Sequence, residues 1–278
     1  MRIDPRAEQA AVRAVLWTFT AVTVAILVFI IFFVLRKGLP ALSWDFLARN
    51  PVDMGKSGGI FSTIVGTLVL TVGALLVAVP LGVGTAIYLT EYTWGGPVTR
   101  VIRFGAECLA GIPSIIFGLF GFILFVTKLR LGWSILSGSL TLAFMVLPTI
   151  IRTSEEAIKS VPPVYRTVSF SLGSTKWQTV TRVVVPSALP GIVTGVILSV
   201  GRSIGETAAV IFTAGSALRL PTSLFSSTRT MSVHFYILAR EGISMPNAYG
   251  TAAVLIIAIL AVNLLTYYLM NRFIRKYS

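Results

Sequence analysis

The sequence predicts an all-α integral membrane protein with six transmembrane helices. Three observations carry that reading. Of 278 residues, 55% are hydrophobic and only 12% are charged, against about 25% charged in soluble domains. The mean hydropathy is strongly positive, +0.87. The apolar residues also gather into six runs that reach the roughly 20 residues a helix needs to cross the hydrocarbon core.

The first span is expected over 14–35, behind Arg2, Arg6 and Arg13. This start imitates a signal peptide, but the apolar run from Val15 to Leu35 is too long for a cleavable core, so it reads as a retained helix with its N-terminus inside. A mixed loop with Pro40, Trp44, Asp53 and Gly58-Gly59 follows, Trp44 suiting an interface. The second span is expected over 60–89, with Pro80 as a kink. The third is expected over 104–127; within it Gly111-Ile112-Pro113-Ser114 marks a break, and Gly118 and Gly121 allow close helix packing. The fourth covers 133–151, the fifth 189–214 and the sixth 249–270, ahead of Arg272, Arg275 and Lys276. Residues 1–278 then form a single transmembrane domain without repeats or a soluble module.

Lys and Arg counted by loop favour a cytoplasmic N-terminus, and with six spans a cytoplasmic C-terminus. The strongest contribution comes from 152–188, which is thereby placed inside. The net charge of +13 suits anionic headgroups or anionic solutes. Its scatter between apolar runs excludes a nucleic-acid surface. A lone Cys108 forms no intrachain disulfide, and neither Cys108 beside Glu107 nor the single His234 makes a metal site. No metal and no cofactor are expected.

The polar stretch 152–188 has internal order. Ser160 is placed to cap a short helix starting near Pro162 and Pro163. Val164, Val168 and Leu172 share one face of it. Gly173 supplies a left-handed stop. Thr175 and Gln178 have capping-box spacing for a second short helix, on which Trp177, Val180 and Val184 share a stripe. Two apolar-faced helices around a glycine suit the docking of a partner protein; a solvated loop is the other reading.

Charge inside a span costs about 2.5–3.5 kcal/mol, so it marks function by default. The outstanding case is Gly201-Arg202-Ser203-Ile204-Gly205-Glu206-Thr207 in the fifth span. Arg202 and Glu206, four apart on a helix, face the same way and pair. Gly201 and Gly205 admit a close backbone, and Ser203 and Thr207 add hydroxyls. A guanidinium fork suits an oxyanion; an ion pair that touches no solute is the alternative. Arg152, with Glu155 and Glu156, ends the fourth span, where it is more simply interfacial. Gly55-Lys56-Ser57 imitates the end of a phosphate-binding loop, but that motif needs glycine where Asn50 stands. No catalytic constellation appears either, so the chain shows no visible means of hydrolysing ATP.

The loop resembles the conserved cytoplasmic loop of ABC importer permeases, in which a central glycine is followed thirteen residues later by a proline, as in Gly173 and Pro186. The family's usual Glu-Ala-Ala is Thr167-Val168-Ser169 here. The segments GGIFSTIVGTLVLTVGALLVAVPLGVGTAIYLTEY, GIPSIIFGLFG, GRSIGETAAVIFTAG and MSVHFYILAREG together resemble permease subunits of phosphate importers. This resemblance implies a type I importer permease in a bacterial or archaeal cytoplasmic membrane. It also implies a second permease subunit, two cytoplasmic ATPase subunits and an external phosphate-binding protein. Arg202 and Glu206, with Ser203 and Thr207, become candidates for the phosphate path, and Arg152 a weaker one. Tyr165, Thr167, Val168, Gly173, Trp177, Gln178 and Pro186 become the ATPase-coupling residues. Alternatives are the paired permease subunit, a permease for another oxyanion, or a channel or carrier without an ATPase.

Overall fold

In the computed structural model, residues 5–93 and 95–277 are described. Arg2 lies outside them, as do the side chains of Arg6, Arg275 and Lys276. Helix α1 (Pro5–Gly38) leaves most of its apolar flank exposed. Its end packs on α12 (Met245–Tyr277), where Gly38 meets the Tyr249 backbone and Phe33 stands edge-on to the Tyr249 ring. A short helix α2 (Trp44–Ala48), capped by Ser43, and a two-strand ribbon (Pro51–Val52 with Ser57–Gly58) lead into α3 (Phe61–Ile87). Pro80 lies inside α3 without ending it, and the helix closes in a π turn, Tyr88–Tyr92.

The third expected span is not one straight helix. It is α4 (Pro97–Ala110) and α5 (Ser114–Gly121, continued by a π stretch to Lys128), bent by 107°. Pro113 explains the turn, because it lacks an N–H and drives Ile112 away from helical geometry. Among the described residues, five helices are long and apolar enough to cross a membrane, six if the bent pair is one span. Two glycines in α5 are packed as expected: a Cβ on Gly118 would meet the Ala208–Ala209 backbone, and one on Gly121 would strike Thr141 and Thr213.

Helix α6 (Ile135–Lys159) is the hub. It continues past Ile151, the expected end, because Arg152–Glu156 and Glu155–Lys159 pairs at i,i+4 carry it on. It runs parallel to α3, with Gly73 on Ser139 and Gly82 on Ile150. Leu70, Leu142, Met145, Val146, Ile150, Val210 and Val233 fill the core between them.

The polar loop is shorter than expected. Helix α7 (Pro163–Ser171) follows α6, and Ser160 closes α6 instead of starting α7. The next short helix, α8 (Lys176–Thr179), is not separate: through a π turn at Val180–Val184 it joins α9 (Val185–Gly205) in one 30-residue helix. The extra residue of a π turn fits the site, since Pro186 has no N–H to give the preceding turn. Helix α9 runs antiparallel to α6, Gly195 on Thr153 and Gly191 on Ala157. A second buried cluster, with Ala86, Ile158, Val161, Val184 and Ile192, closes the bundle at the end that carries α7. After α9 the chain breaks and forms α10 (Ala208–Thr213). A long excursion then contains α11 (Met231–Arg240), which is buried beside α12 and α3.

Candidate functional site: a helix break and a riveted loop

The fifth expected span, 189–214, is interrupted where its charges lie. Glu206 adopts extended backbone (ψ 130°), so α9 ends at Gly205. The Arg202–Glu206 pair expected on a continuous helix therefore does not form. Glu206 instead accepts a hydrogen bond from the Ala209 amide (3.1 Å) at the start of α10. Ser232 of α11 donates to the Glu206 carbonyl (2.6 Å) and holds the break in place. Arg202 lies in the last turn of α9, exposed, with no ion pair or hydrogen bond among the described residues. Each charge now complements its own helix: a cation at a C-terminus, an anion at an N-terminus. Arg before Glu, the poorer order on one helix, is the favourable order across a break.

Around them, Ser203 is buried and its hydroxyl has no hydrogen-bond partner among the described residues. Thr207 turns back to the Gly205 carbonyl at 3.4 Å. Gly201 and Gly205 are not close-packing sites, since a Cβ on Gly205 would meet nothing within 4 Å. The close approach on α9 is at Gly195. Because Gly195 meets Thr153, Arg152 is level with a point about two turns before Arg202. Arg152 pairs with Glu156 at 3.4 Å and lines a cleft of about 220 Å³ between α4 and α6, so it does not join Arg202. Neighbouring Glu155 is buried and takes Arg103 (2.7 Å) and Lys159 (2.6 Å).

The loop retains its expected chemistry, with one correction. Gly173 has φ +82°, a left-handed stop. The Thr175–Gln178 capping box is present in both directions. Val164, Tyr165, Val168 and Leu172 are exposed, Leu172 at 81%. Thr167 also lies on the surface. Trp177, however, does not share a stripe with Val180 and Val184: it is 66% exposed, whereas they are buried in the bundle. Trp177 is therefore exposed like the apolar residues of α7, and the two valines anchor the helix.

Two charge clusters, one partly and one fully buried, escape sequence reasoning. Arg166 of α7 reaches Glu91 in the π turn of α3, 75 residues away, through Nε (3.0 Å) and Nη2 (2.6 Å). The same guanidinium donates to the carbonyls of Val161 (2.9 Å) and Ile158 (3.0 Å). In the excursion before α11, Arg229 is buried, donates to the Ser216 carbonyl (2.9 Å) and approaches His234 Nδ1 (3.4 Å). Burial lowers the Arg229 pKa, opposed by Glu241. Burial, and then the Arg229 charge, lower the His234 pKa to about 4. No metal-holding group of three or more His, Cys, Asp or Glu occurs among the described residues.

Comparison with known proteins bears on the whole chain. The family described as binding-protein-dependent transport system inner membrane component matches over residues 78–278. The chain is 34% identical over 273 residues to the probable ABC transporter permease protein YqgI of Bacillus subtilis, covering 92% of each. It is 35% identical over 260 residues to the phosphate transport system permease protein PstA of Mycobacterium leprae, covering 90% of this chain and 85% of that protein. Among solved structures, a chain of a bacterial alginate ABC transporter, 15% identical, superposes with a TM-score of 0.71 over 98% of both. A chain of the MetNI methionine ABC transporter, 18% identical, gives 0.60 over 77% of this chain and 94% of that one.

Proposed function

The chain belongs to the family of inner membrane components of binding-protein-dependent transport systems, and we propose that it is the permease subunit of an ATP-driven importer of inorganic phosphate. The observation that carries the substrate class is Arg202, a guanidinium beside a helix break with no internal counter-ion among the described residues. A permanent charge on a span is costly in hydrocarbon. Its exposure on this chain suits a surface covered by a second permease subunit, with a wet path between the two. There it offers a planar fork to a tetrahedral oxyanion. Thr207, partly exposed just past the break, adds a hydroxyl near it, whereas Ser203 is buried within this subunit. The relatedness to a phosphate permease over 90% of the chain supports phosphate within that class.

The drive comes from the other end of the bundle. The exposed face of Val164, Tyr165, Val168, Leu172 and Trp177 suits a groove in an ATPase subunit. In this reading α7 and both termini are cytoplasmic, and an external phosphate-binding protein delivers the solute to the opposite face. Closure of the two ATPase subunits displaces α7. Because Lys176–Gly205 is one continuous helix, the push at Lys176 reaches the break beside Arg202 along a single element. Phosphate then passes by transient pairing with Arg202, whose single charge releases it again.

The test is uptake of labelled phosphate into vesicles holding the assembled transporter, with excess arsenate or sulfate outside. Phosphate accumulates with ATP, arsenate competes as a protonatable tetrahedral analogue, and sulfate does not. Absence of phosphate uptake, with sulfate carried instead, overturns the assignment.

A further inference from the structure

The docking helix is tied into the bundle at one point. Arg166 projects inward from α7 and makes four hydrogen bonds at 2.6–3.0 Å, two to Glu91 and one each to the carbonyls of Val161 and Ile158. Both charged side chains are largely enclosed, at 22% and 10% exposure. The groups it joins belong to three elements: α7, the π turn that ends α3, and the chain leaving α6. The Ile158 and Val161 carbonyls lie at the close of α6, where helical partners run out and donors are wanted. A planar five-donor guanidinium can serve such carbonyls and a carboxylate at once; an ammonium point charge cannot hold all four directions.

The other half of the loop grips the same turn. Lys176 places Nζ 5.2 Å from the centroid of Tyr92, the last residue of the π turn. Ser169 and Thr179, both buried, share a hydrogen bond (2.9 Å) that binds α7 to α8. Val164 and Val168 of α7 are exposed, whereas Arg166 turns inward to Glu91.

We propose that Arg166 is the positioning residue that makes α7 move as one body with the ends of α3 and α6, so that a displacement of α7 is delivered to α3 through Glu91. This rests on α7 being the ATPase-docking helix. Without the rivet, α7 follows the ATPase while α3 stays behind, and hydrolysis moves less phosphate because only the route along α9 is left. Glu91 is the informative partner because it lies outside the docking surface.

The assembled transporter is reconstituted with Glu91→Gln or Arg166→Lys, and phosphate moved per ATP hydrolysed is measured. Both variants retain the ATPase subunits and hydrolyse ATP, while the transport-to-hydrolysis ratio falls roughly fivefold or more, the scale of an ordinary coupling free energy. An unchanged ratio in both overturns the proposal. Should either variant fail to assemble, the wild-type assembly still decides. With Cys108→Ser, spin labels at Ser171→Cys on α7 and Tyr88→Cys on α3, both exposed positions, keep one separation in nucleotide-free and ATP-trapped states. A separation that changes between them overturns the rivet. A wild-type chain that binds no ATPase subunit overturns the docking reading itself, which is a different result from a lost ratio.

Discussion

Glu206 directs its carboxylate to the Ala209 amide at 3.1 Å and leaves Arg202, one turn earlier, without a counter-ion among the described residues. The two charges lie on opposite sides of a break, each set against the dipole of its own helix. Among the described residues Arg202 is thus left without an internal partner, as the proposed solute path requires, and Glu206 serves the backbone.

Arg202→Gln is expected to reduce phosphate uptake about a hundredfold, the value of two charge-assisted hydrogen bonds to an oxyanion. The partner subunits still co-purify, because among the described residues the side chain has no hydrogen bond or ion pair whose loss would disturb the fold. Uptake at the wild-type rate in an assembled complex refutes the role.

Glu206→Gln keeps an oxygen facing Ala209, so uptake stays within about threefold of wild type while Glu206→Ala lowers stability by about 1 kcal/mol, as removal of a helix cap does. Thermal unfolding in detergent, paired with uptake, separates this capping role from a charge role. Equal loss of uptake in both variants would return Glu206 to the solute path.

Gly173 stands in open space, so its need for glycine is conformational and not steric. Gly173→Ala is expected to strain the loop by about 1–2 kcal/mol and to weaken ATPase co-purification. Gly173→Asn does so less, because Asn tolerates the left-handed region.

Packing on α9 is expected to fail at Gly195 and not at Gly205. Gly195→Val drives side-chain atoms into Thr153 and costs about 1–3 kcal/mol. Gly205→Ala, with nothing within 4 Å of the new Cβ, leaves the melting temperature unchanged. Comparison of the two melting curves tests the assigned α6–α9 interface.

His234 carries a pH dependence. Its folded pKa lies near 4, below the 6.5 of the free side chain, so between those values the unfolded chain takes up a proton that the folded state refuses. Stability is full above about pH 6.5 and falls as pH drops toward 4, by up to about 3 kcal/mol. Melting temperatures from pH 7.5 to 4.5 are expected to fall more steeply for wild type than for His234→Gln.

Much of this architecture was legible in the linear sequence because the signals are local. Burial in hydrocarbon is decided run by run, so the apolar spans stand out. Gly173 and the Thr175–Gln178 box depend on backbone preferences within a few residues. Gly111-Ile112-Pro113 announced a break, although the 107° turn it makes was not readable. The break at Glu206 had no such announcement: no proline marks it, and the Arg-to-Glu spacing pointed to a paired face on an unbroken helix. Ser232, 26 residues on, helps to hold it open.

By itself, then, the sequence determined that the chain is a multi-span permease with a polar loop of two short apolar-faced helices and a cation in its fifth expected span. The tertiary structure alone decided which charges pair. Arg166 finds Glu91 across 75 residues, Arg229 and His234 become buried because α11 packs against α3 and α12, and Arg202 has no counter-ion among the described residues. The physical reason is one of range. Hydrophobicity and backbone preference act over a few neighbours, whereas a buried charge is satisfied only by what the fold brings within about 3 Å of it.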